Sequence, residues 1–148
     1  GTLIEHRNVV RLMINDKFQF DFSENDVWTL FHSFCFDFSV WEMYGALLYG
    51  GKLVIIPKMT ARDTDRFLER LEEECVTVLN QTPSVFYLLM DRELSRSAGG
   101  SGWNKGRLNL RYVIFGGEAL APGRLKRWKE KYPETRLINM YGITETTV

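Results

Sequence analysis

Apolar positions along this chain fall into two alternating patterns: short unbroken runs, and runs spaced three and four apart. The first predicts buried strands and the second amphipathic helices. Val9, Val10, Met13 and Ile14 keep helical spacing, so a first helix is predicted over residues 6–15. After the polar turn Ser23-Glu24-Asn25-Asp26, the run Val27-Trp28-Thr29-Leu30-Phe31 predicts a strand. Residues 39–48 read as a largely buried helix stopped by Gly50-Gly51, and Lys52-Leu53-Val54-Ile55-Ile56 as a second strand ended by Pro57. Thr60, three residues before Asp63, approximates a capping box for a helix whose apolar stripe is Phe67, Leu68, Leu71 and Cys75. Glu72-Glu73-Glu74 is its solvated turn. Val76-Thr77-Val78-Leu79 is the third strand, with Asn80-Gln81 at its exit. Thr82-Pro83 supplies an N-cap and a first-turn proline to a helix carrying Val85, Phe86, Leu89 and Met90. Arg111-Tyr112-Val113-Ile114-Phe115 is the fourth strand, closed by Gly116-Gly117. Ala121-Pro122 opens a helix with Leu125 and Trp128 inward, and Arg136-Leu137-Ile138-Asn139 is the fifth strand.

Five short apolar strands separated by helices imply a parallel sheet covered on both faces. Right-handed crossovers make it an open, doubly wound α/β sheet. The expected strand order is the flavodoxin-like 2-1-3-4-5, which suits five strands, and residues 1–148 form one such unit.

Composition narrows the function classes. A chain of 148 residues that is 45% hydrophobic and 14% aromatic can bury a substantial core. Its 19 basic residues are balanced by 19 acidic ones, which excludes a nucleic-acid binder working by bulk positive charge. No apolar run approaches the roughly 18 residues of a membrane helix. The start, Gly1-Thr2-Leu3-Ile4-Glu5-His6, shows no signal-peptide pattern, so neither membrane nor secretion is expected and the assignment is cytoplasmic. Cys35 and Cys75 sit in apolar sequence surroundings outside any C-x-x-C pair, and are expected to be reduced core thiols. With His6 and His32 they are too few for a structural zinc site. Ser97-Ala98-Gly99-Gly100-Ser101-Gly102 reads as a flexible loop. It follows a helix rather than a strand, so it is not a phosphate cradle.

In open α/β sheets ligands bind beyond the carboxyl ends of the strands. The unusual polar, glycine and aromatic residues collect there. Asp37, among Phe34, Phe36, Phe38 and Trp41, is a carboxylate in apolar company that needs a partner. Either Asp37 or Ser39 caps the following helix, or Asp37 binds a cationic ligand group; the two are compatible if the ligand brings the cation. Gly116-Gly117 is either a tight turn or a place where a flat ligand meets backbone. Tyr141 beside Gly142 either stacks on a base or packs in the core. Thr144 and Glu145 suit a phosphate and Mg²⁺, or a solvated surface. His32 is either a ligand donor or a satisfied core histidine, and His6 a surface residue.

These segments together resemble the amino-acid adenylation domains of nonribosomal peptide synthetases, in the adenylate-forming superfamily. Leu3-Ile4-Glu5-His6-Arg7-Asn8-Val9 resembles the stretch after that family's phosphate loop. Phe36-Asp37-Phe38-Ser39-Val40-Trp41-Glu42-Met43 resembles its F-D-x-S motif, and Gly116-Gly117-Glu118-Ala119-Leu120 its G-G-E-x-L segment. Asn139-Met140-Tyr141-Gly142-Ile143-Thr144-Glu145 resembles N-x-Y-G-P-T-E, with Ile143 in place of proline. The family's phosphate loop falls before Gly1, and its hinge aspartate and catalytic lysine after Val148. The resemblance therefore implies the flavodoxin-like specificity subdomain, a fragment expected to be inactive without the remainder of the domain.

The resemblance also implies roles. Asp37 binds the α-ammonium of an amino acid, and Tyr141 stacks on the adenine of ATP. Gly116, Gly117, Glu118, Met140 and Gly142 surround the base, and Asn139 bonds its amino group. Thr144 contacts the α-phosphate and Glu145 holds Mg²⁺. The product is an aminoacyl-AMP, passed to the phosphopantetheine thiol of a peptidyl carrier protein. Specificity positions map to Asp37, Phe38, Trp41, Asn80, Ile114, Gly116, Met140 and Val148. Their combination resembles threonine signatures, with serine as second choice. An aryl- or acyl-CoA ligase of the same superfamily is the alternative enzyme, disfavoured because such substrates bring no ammonium to Asp37. A noncatalytic flavodoxin-like module is the alternative from another class. Its signalling-receiver form calls for an aspartate at the exit of strand three, where this chain has Asn80.

Overall fold

The computed structural model describes residues 1–98 and 107–147. Five strands, β1 (Val27–Leu30), β2 (Lys52–Ile55), β3 (Val78–Gln81), β4 (Tyr112–Phe115) and β5 (Arg136–Asn139), form one sheet. All pairings are parallel and the order is β2-β1-β3-β4-β5, the expected flavodoxin-like arrangement. The helices are α1 (His6–Met13), α2 (Phe38–Leu47), α3 (Lys58–Ala61), α4 (Thr64–Glu73), α5 (Pro83–Ala98) and α6 (Lys126–Lys131). No described helix is long and apolar enough to cross a membrane.

Burial follows position in the sheet. The interior strands β3 and β4 are buried at every residue, because helices cover both of their faces. Side chains alternate between two cores. Tyr112 and Ile114 of β4, with Val78 of β3, join Trp28, Phe38 and Trp41 on the α2 face. Val113, Phe115 and Leu79 join Phe67, Leu71, Phe86 and Trp128 on the face of α4, α5 and α6. The segment before β1, which no sequence pattern assigned, adds aromatic bulk to the α2 face. Phe20 and Phe22 stack with ring centroids 4.7 Å apart, and Phe20 lies 5.4 Å from Trp41.

Several local expectations change. The cap of α4 is Asp63, not Thr60: its carboxylate accepts the N–H groups of Asp65 (3.1 Å) and Arg66 (3.2 Å), while Thr60 belongs to the short α3. Cys35 and Cys75 are exposed rather than core thiols. Cys35 lies in the loop leaving β1, and Cys75 follows α4 with a positive φ of 52°, which turns it off the helix's apolar stripe. Glu72 is not simply solvated; it pairs with Arg96 of α5 at 3.1 Å. Strand β3 starts at Val78, two residues later than expected, because Thr77 is used otherwise. Its hydroxyl donates to the buried Asp26 carboxylate (2.7 Å), which also takes Arg111 Nη1 at 2.6 Å. That network ties the amino ends of the sheet together and was invisible in the sequence. The proposed loop at residues 97–102 starts later than expected, since α5 runs through Ala98. Gly99, Gly100, Ser101 and Gly102 lie outside the described residues, as does Val148.

Candidate functional site

Parallel strands all leave the sheet at one edge, so the loops after β1, β4 and β5 converge there. They enclose a cavity of about 310 Å³ lined by Phe36, Asp37, Phe38, Gly116, Gly117, Met140, Gly142, Ile143, Thr144 and Glu145. Two larger hollows lie elsewhere. One, about 550 Å³, is at the opposite edge of the sheet beside Arg107, Arg111 and Arg136. There Arg111 is bound by Asp21 and Asp26, and Arg136 reaches the Tyr112 hydroxyl. The other is an open groove of about 870 Å³ along β5. Chemistry at the strand exits favours the smallest of the three.

Asp37 stands at the N-cap position of α2 but does not cap it. Its backbone is already helical (φ −58°, ψ −27°) and its side chain takes no bond from the first turn. Its Oδ2 instead accepts the Thr144 hydroxyl at 2.6 Å. Ser39, the other cap candidate, is fully buried, and its Oγ has no partner among the described residues. The capping account of Asp37 is therefore replaced by a contact across the cavity.

The opposite wall is bare backbone. A Cβ on Gly116 would come within 3.2 Å of the Phe38 ring, and Gly117 holds a φ of +78°, which side-chain-bearing residues rarely adopt. Glu118, next in line, does not face the cavity. It accepts the N–H (3.0 Å) and hydroxyl (2.8 Å) of Ser84 at the start of α5. The Ser84 amide, the Ser84 hydroxyl and the Thr82 hydroxyl together hold its carboxyl below the usual range. Ile143 has φ −133°, a value closed to the proline of the N-x-Y-G-P-T-E pattern. Its N–H donates to the Thr146 hydroxyl at 3.3 Å, which closes the turn that presents Thr144 and Glu145.

The remaining candidates divide. Tyr141 is 94% exposed, which removes the core-packing account and leaves its ring free to stack. Asn139 and Met140 are neighbours on alternating faces. Met140 packs with the α2-face core and lines the cavity, whereas Asn139 lines the groove with Leu120 and Leu137. Trp41, Asn80 and Ile114 do not line the cavity; they are buried beside it on the α2 face. Trp41 Nε1 donates to Asn80 Oδ1 at 3.0 Å, and Asn80 Nδ2 has no partner among the described residues.

His32 proves to be a satisfied histidine: its Nδ1 lies 3.0 Å from Oε1 of Glu42. Glu42 itself was missed. It is a fully buried carboxylate that also accepts the N–H groups of Phe31 and His32. A glutamate amid the apolar positions of a buried helix was the available signal.

The donor set fits ATP and Mg²⁺. A hydroxyl and a carboxylate adjoin a wall stripped of Cβ atoms, and Mg²⁺ binds through one or two carboxylates plus phosphate oxygens. Among the described residues no group of three or more His, Cys, Asp or Glu is placed to hold a metal ion.

Known proteins match over the whole length. The family described as AMP-binding enzyme matches residues 1–148. A plipastatin synthase of Bacillus subtilis is 58% identical over 148 residues, all of this chain and 6% of that protein. A dimodular nonribosomal peptide synthase of the same organism is 54% identical over 150 residues, again all of this chain and 6% of the other. Among solved structures, holo-PA1221, an NRPS protein containing adenylation and PCP domains, superposes with a TM-score of 0.76 at 26% identity, over 95% of this chain and 22% of that one. The chain thus spans about 6% of the length of these curated relatives. With its motifs gathered on one edge of the sheet and a match from end to end, the chain belongs to the AMP-binding enzyme family.

Proposed function

We propose that the chain is the substrate-selecting part of an amino-acid adenylation domain whose complete enzyme activates L-threonine with ATP. The observation that carries this reading is the meeting, in one cavity, of Asp37 with Thr144 and Glu145 opposite the Gly116-Gly117 turn. An ammonium group entering the cavity gives Asp37 a charged partner, and such bonds contribute roughly 1.5–3 kcal/mol. Thr144, released from Asp37, contacts the α-phosphate. Tyr141 stacks on adenine, and Asn139, which lines the groove rather than the cavity, has to turn at the tip of β5 to offer its amide to the base. Glu145 would hold Mg²⁺, which when bound would supply neutralisation of the phosphate charge.

A substrate carboxylate oxygen then attacks the α-phosphorus. One P–O bond forms, the bond to the bridging oxygen breaks, and pyrophosphate leaves with the electron pair. Positioning and charge neutralisation supply the rate. In the complete enzyme the acyl group would pass to the phosphopantetheine thiol of a carrier protein: a C–S bond replaces the acyl C–O bond, the thiol proton goes to solvent and AMP leaves with the electron pair. ATP chemistry and two unpaired cysteines suit the reducing cytoplasm.

Threonine is supported by the side chains behind the cavity. With Asn80 Oδ1 taken by Trp41, its free Nδ2 is a donor suited to a substrate hydroxyl, and Ile114 suits the methyl. Both are fully buried, so this contact requires the aromatic packing around them to open. Serine loses only the methyl contact, roughly 1–3 kcal/mol.

The test is to place residues 1–148 in a complete adenylation domain and measure ATP–pyrophosphate exchange with every standard amino acid. Threonine should lead, and Asp37→Ala should abolish exchange with all of them. Preference for valine or phenylalanine overturns the pocket assignment. Exchange driven by aryl or fatty acids instead identifies an acyl ligase.

A further inference from the structure

Glu42 does not line the cavity, yet it is fully buried one turn into α2, close to Asp37 in the chain. Its Oε2 accepts the backbone N–H groups of Phe31 (3.2 Å) and His32 (3.1 Å), and its Oε1 meets His32 Nδ1 at 3.0 Å. Burial pushes its carboxyl up, while His32 and the two amides pull it down. An apolar residue could join β1 to α2 by packing alone, without the cost of a buried carboxylate. What the carboxylate adds is direction, because it fixes the plane of the His32 ring.

That ring stands 5.3 Å from Phe36 and 5.0 Å from Phe38. These two rings flank Asp37 in the chain, and both rest on the glycine turn. Phe38 lies 3.2 Å from where a Cβ of Gly116 would be, and Phe36 lies 3.1 Å from that of Gly117. The Asp37 carboxylate makes no capping bond to α2, so its direction rests on the Thr144 hydroxyl across the cavity and on the two rings that flank it.

We propose that His32 and Glu42 are positioning residues for the substrate ammonium. Glu42 aligns the His32 ring, the ring wedges Phe36 and Phe38 against the Gly116-Gly117 turn, and Asp37 between them is aimed into the cavity. This assignment rests on the reading of Asp37 given above.

The test uses the complete adenylation domain carrying this segment, with exchange measured against amino acid and ATP separately. His32→Phe keeps a ring beside Phe36 and Phe38 but removes the bond to Glu42. It should raise KM for the amino acid about tenfold and leave KM for ATP unchanged. Glu42→Gln, which retains an acceptor for the two amides, should recover most of the loss seen in Glu42→Leu. An unmoved amino-acid KM in His32→Phe overturns the proposal. So does a loss in which both KM values move together and track the melting temperature. A crystal structure of the His32→Phe domain gives a readout free of substrate: displaced Phe36 and Phe38 rings support the proposal, and unmoved rings with Asp37 in place overturn it. If the unmodified domain activates no α-amino acid, the ammonium reading fails, and that crystal structure still decides whether the pair positions Asp37.

Discussion

The Thr144 hydroxyl donates to Asp37 Oδ2 across 2.6 Å, joining residues 107 positions apart in the chain. The bond links the loop after β1 to the turn after β5 and spans the cavity that both residues line. It also engages the carboxylate proposed for the substrate ammonium, and on that proposal ligand binding exchanges one partner of Asp37 for another.

Thr144→Val tests this exchange. The variant frees Asp37 and removes the proposed phosphate contact. Exchange kinetics should show KM for the amino acid unchanged or lower, with kcat reduced about tenfold or more. A raised amino-acid KM at full kcat would contradict the exchange.

Trp41→Phe keeps an aromatic ring in the core but leaves both ends of the fully buried Asn80 amide without a described partner. Denaturant unfolding should report a loss of about 1–3 kcal/mol. Asn80→Leu removes the unpaired amide altogether. It should be better tolerated in stability while shifting exchange from threonine toward valine.

Glu118 makes stability depend on acid. Its folded-state pKa lies below the ordinary value because Ser84 donates to it. Its contribution is thus fully present above the ordinary value of 4.5 and disappears as pH falls through the depressed one. Melting temperatures measured from neutral pH down to about pH 3 should fall less steeply in Glu118→Gln than in the unmodified chain. Glu118→Ala at neutral pH should cost about 1 kcal/mol, as loss of a helix cap does.

Gly45→Ala probes the α2 face of the sheet. The added methyl would come 2.3 Å from Cη2 of the fully buried Trp28, where neither group can yield cheaply. Thermal unfolding should show destabilisation of about 3 kcal/mol. A neutral result would mean that α2 is free to shift on β1.

The two-sided burial and the site edge were legible because each follows from local patterns, whereas the strand order was a choice of arrangement suited to five strands that only the sheet itself decides. Apolar runs of strand length separated by helical spacing leave few topologies, and parallel topology sends every loop of interest to one edge. Asn139 facing away from Met140 was readable in principle, since side chains alternate along a strand. The Thr60 cap failed because Asp63 competes for the same turn and binds both free amides. The core cysteines failed because apolar neighbours in sequence do not ensure apolar neighbours in space.

Sequence alone thus established the elements, the family resemblance and the residue types carrying the chemistry, all of which depend on spacing within a few positions. Tertiary structure decided which polar groups hold one another: Asp37 with Thr144, Trp41 with Asn80, Glu42 with His32 and the exit of β1, and Asp26 with Thr77 and Arg111. Most of these partners come from different elements. The buried ones are chosen by which groups burial forces to find a hydrogen bond, whereas the exposed pair of Asp37 and Thr144 meets because parallel topology brings both loops to one edge; either way the choice is settled only when the sheet closes between its helices.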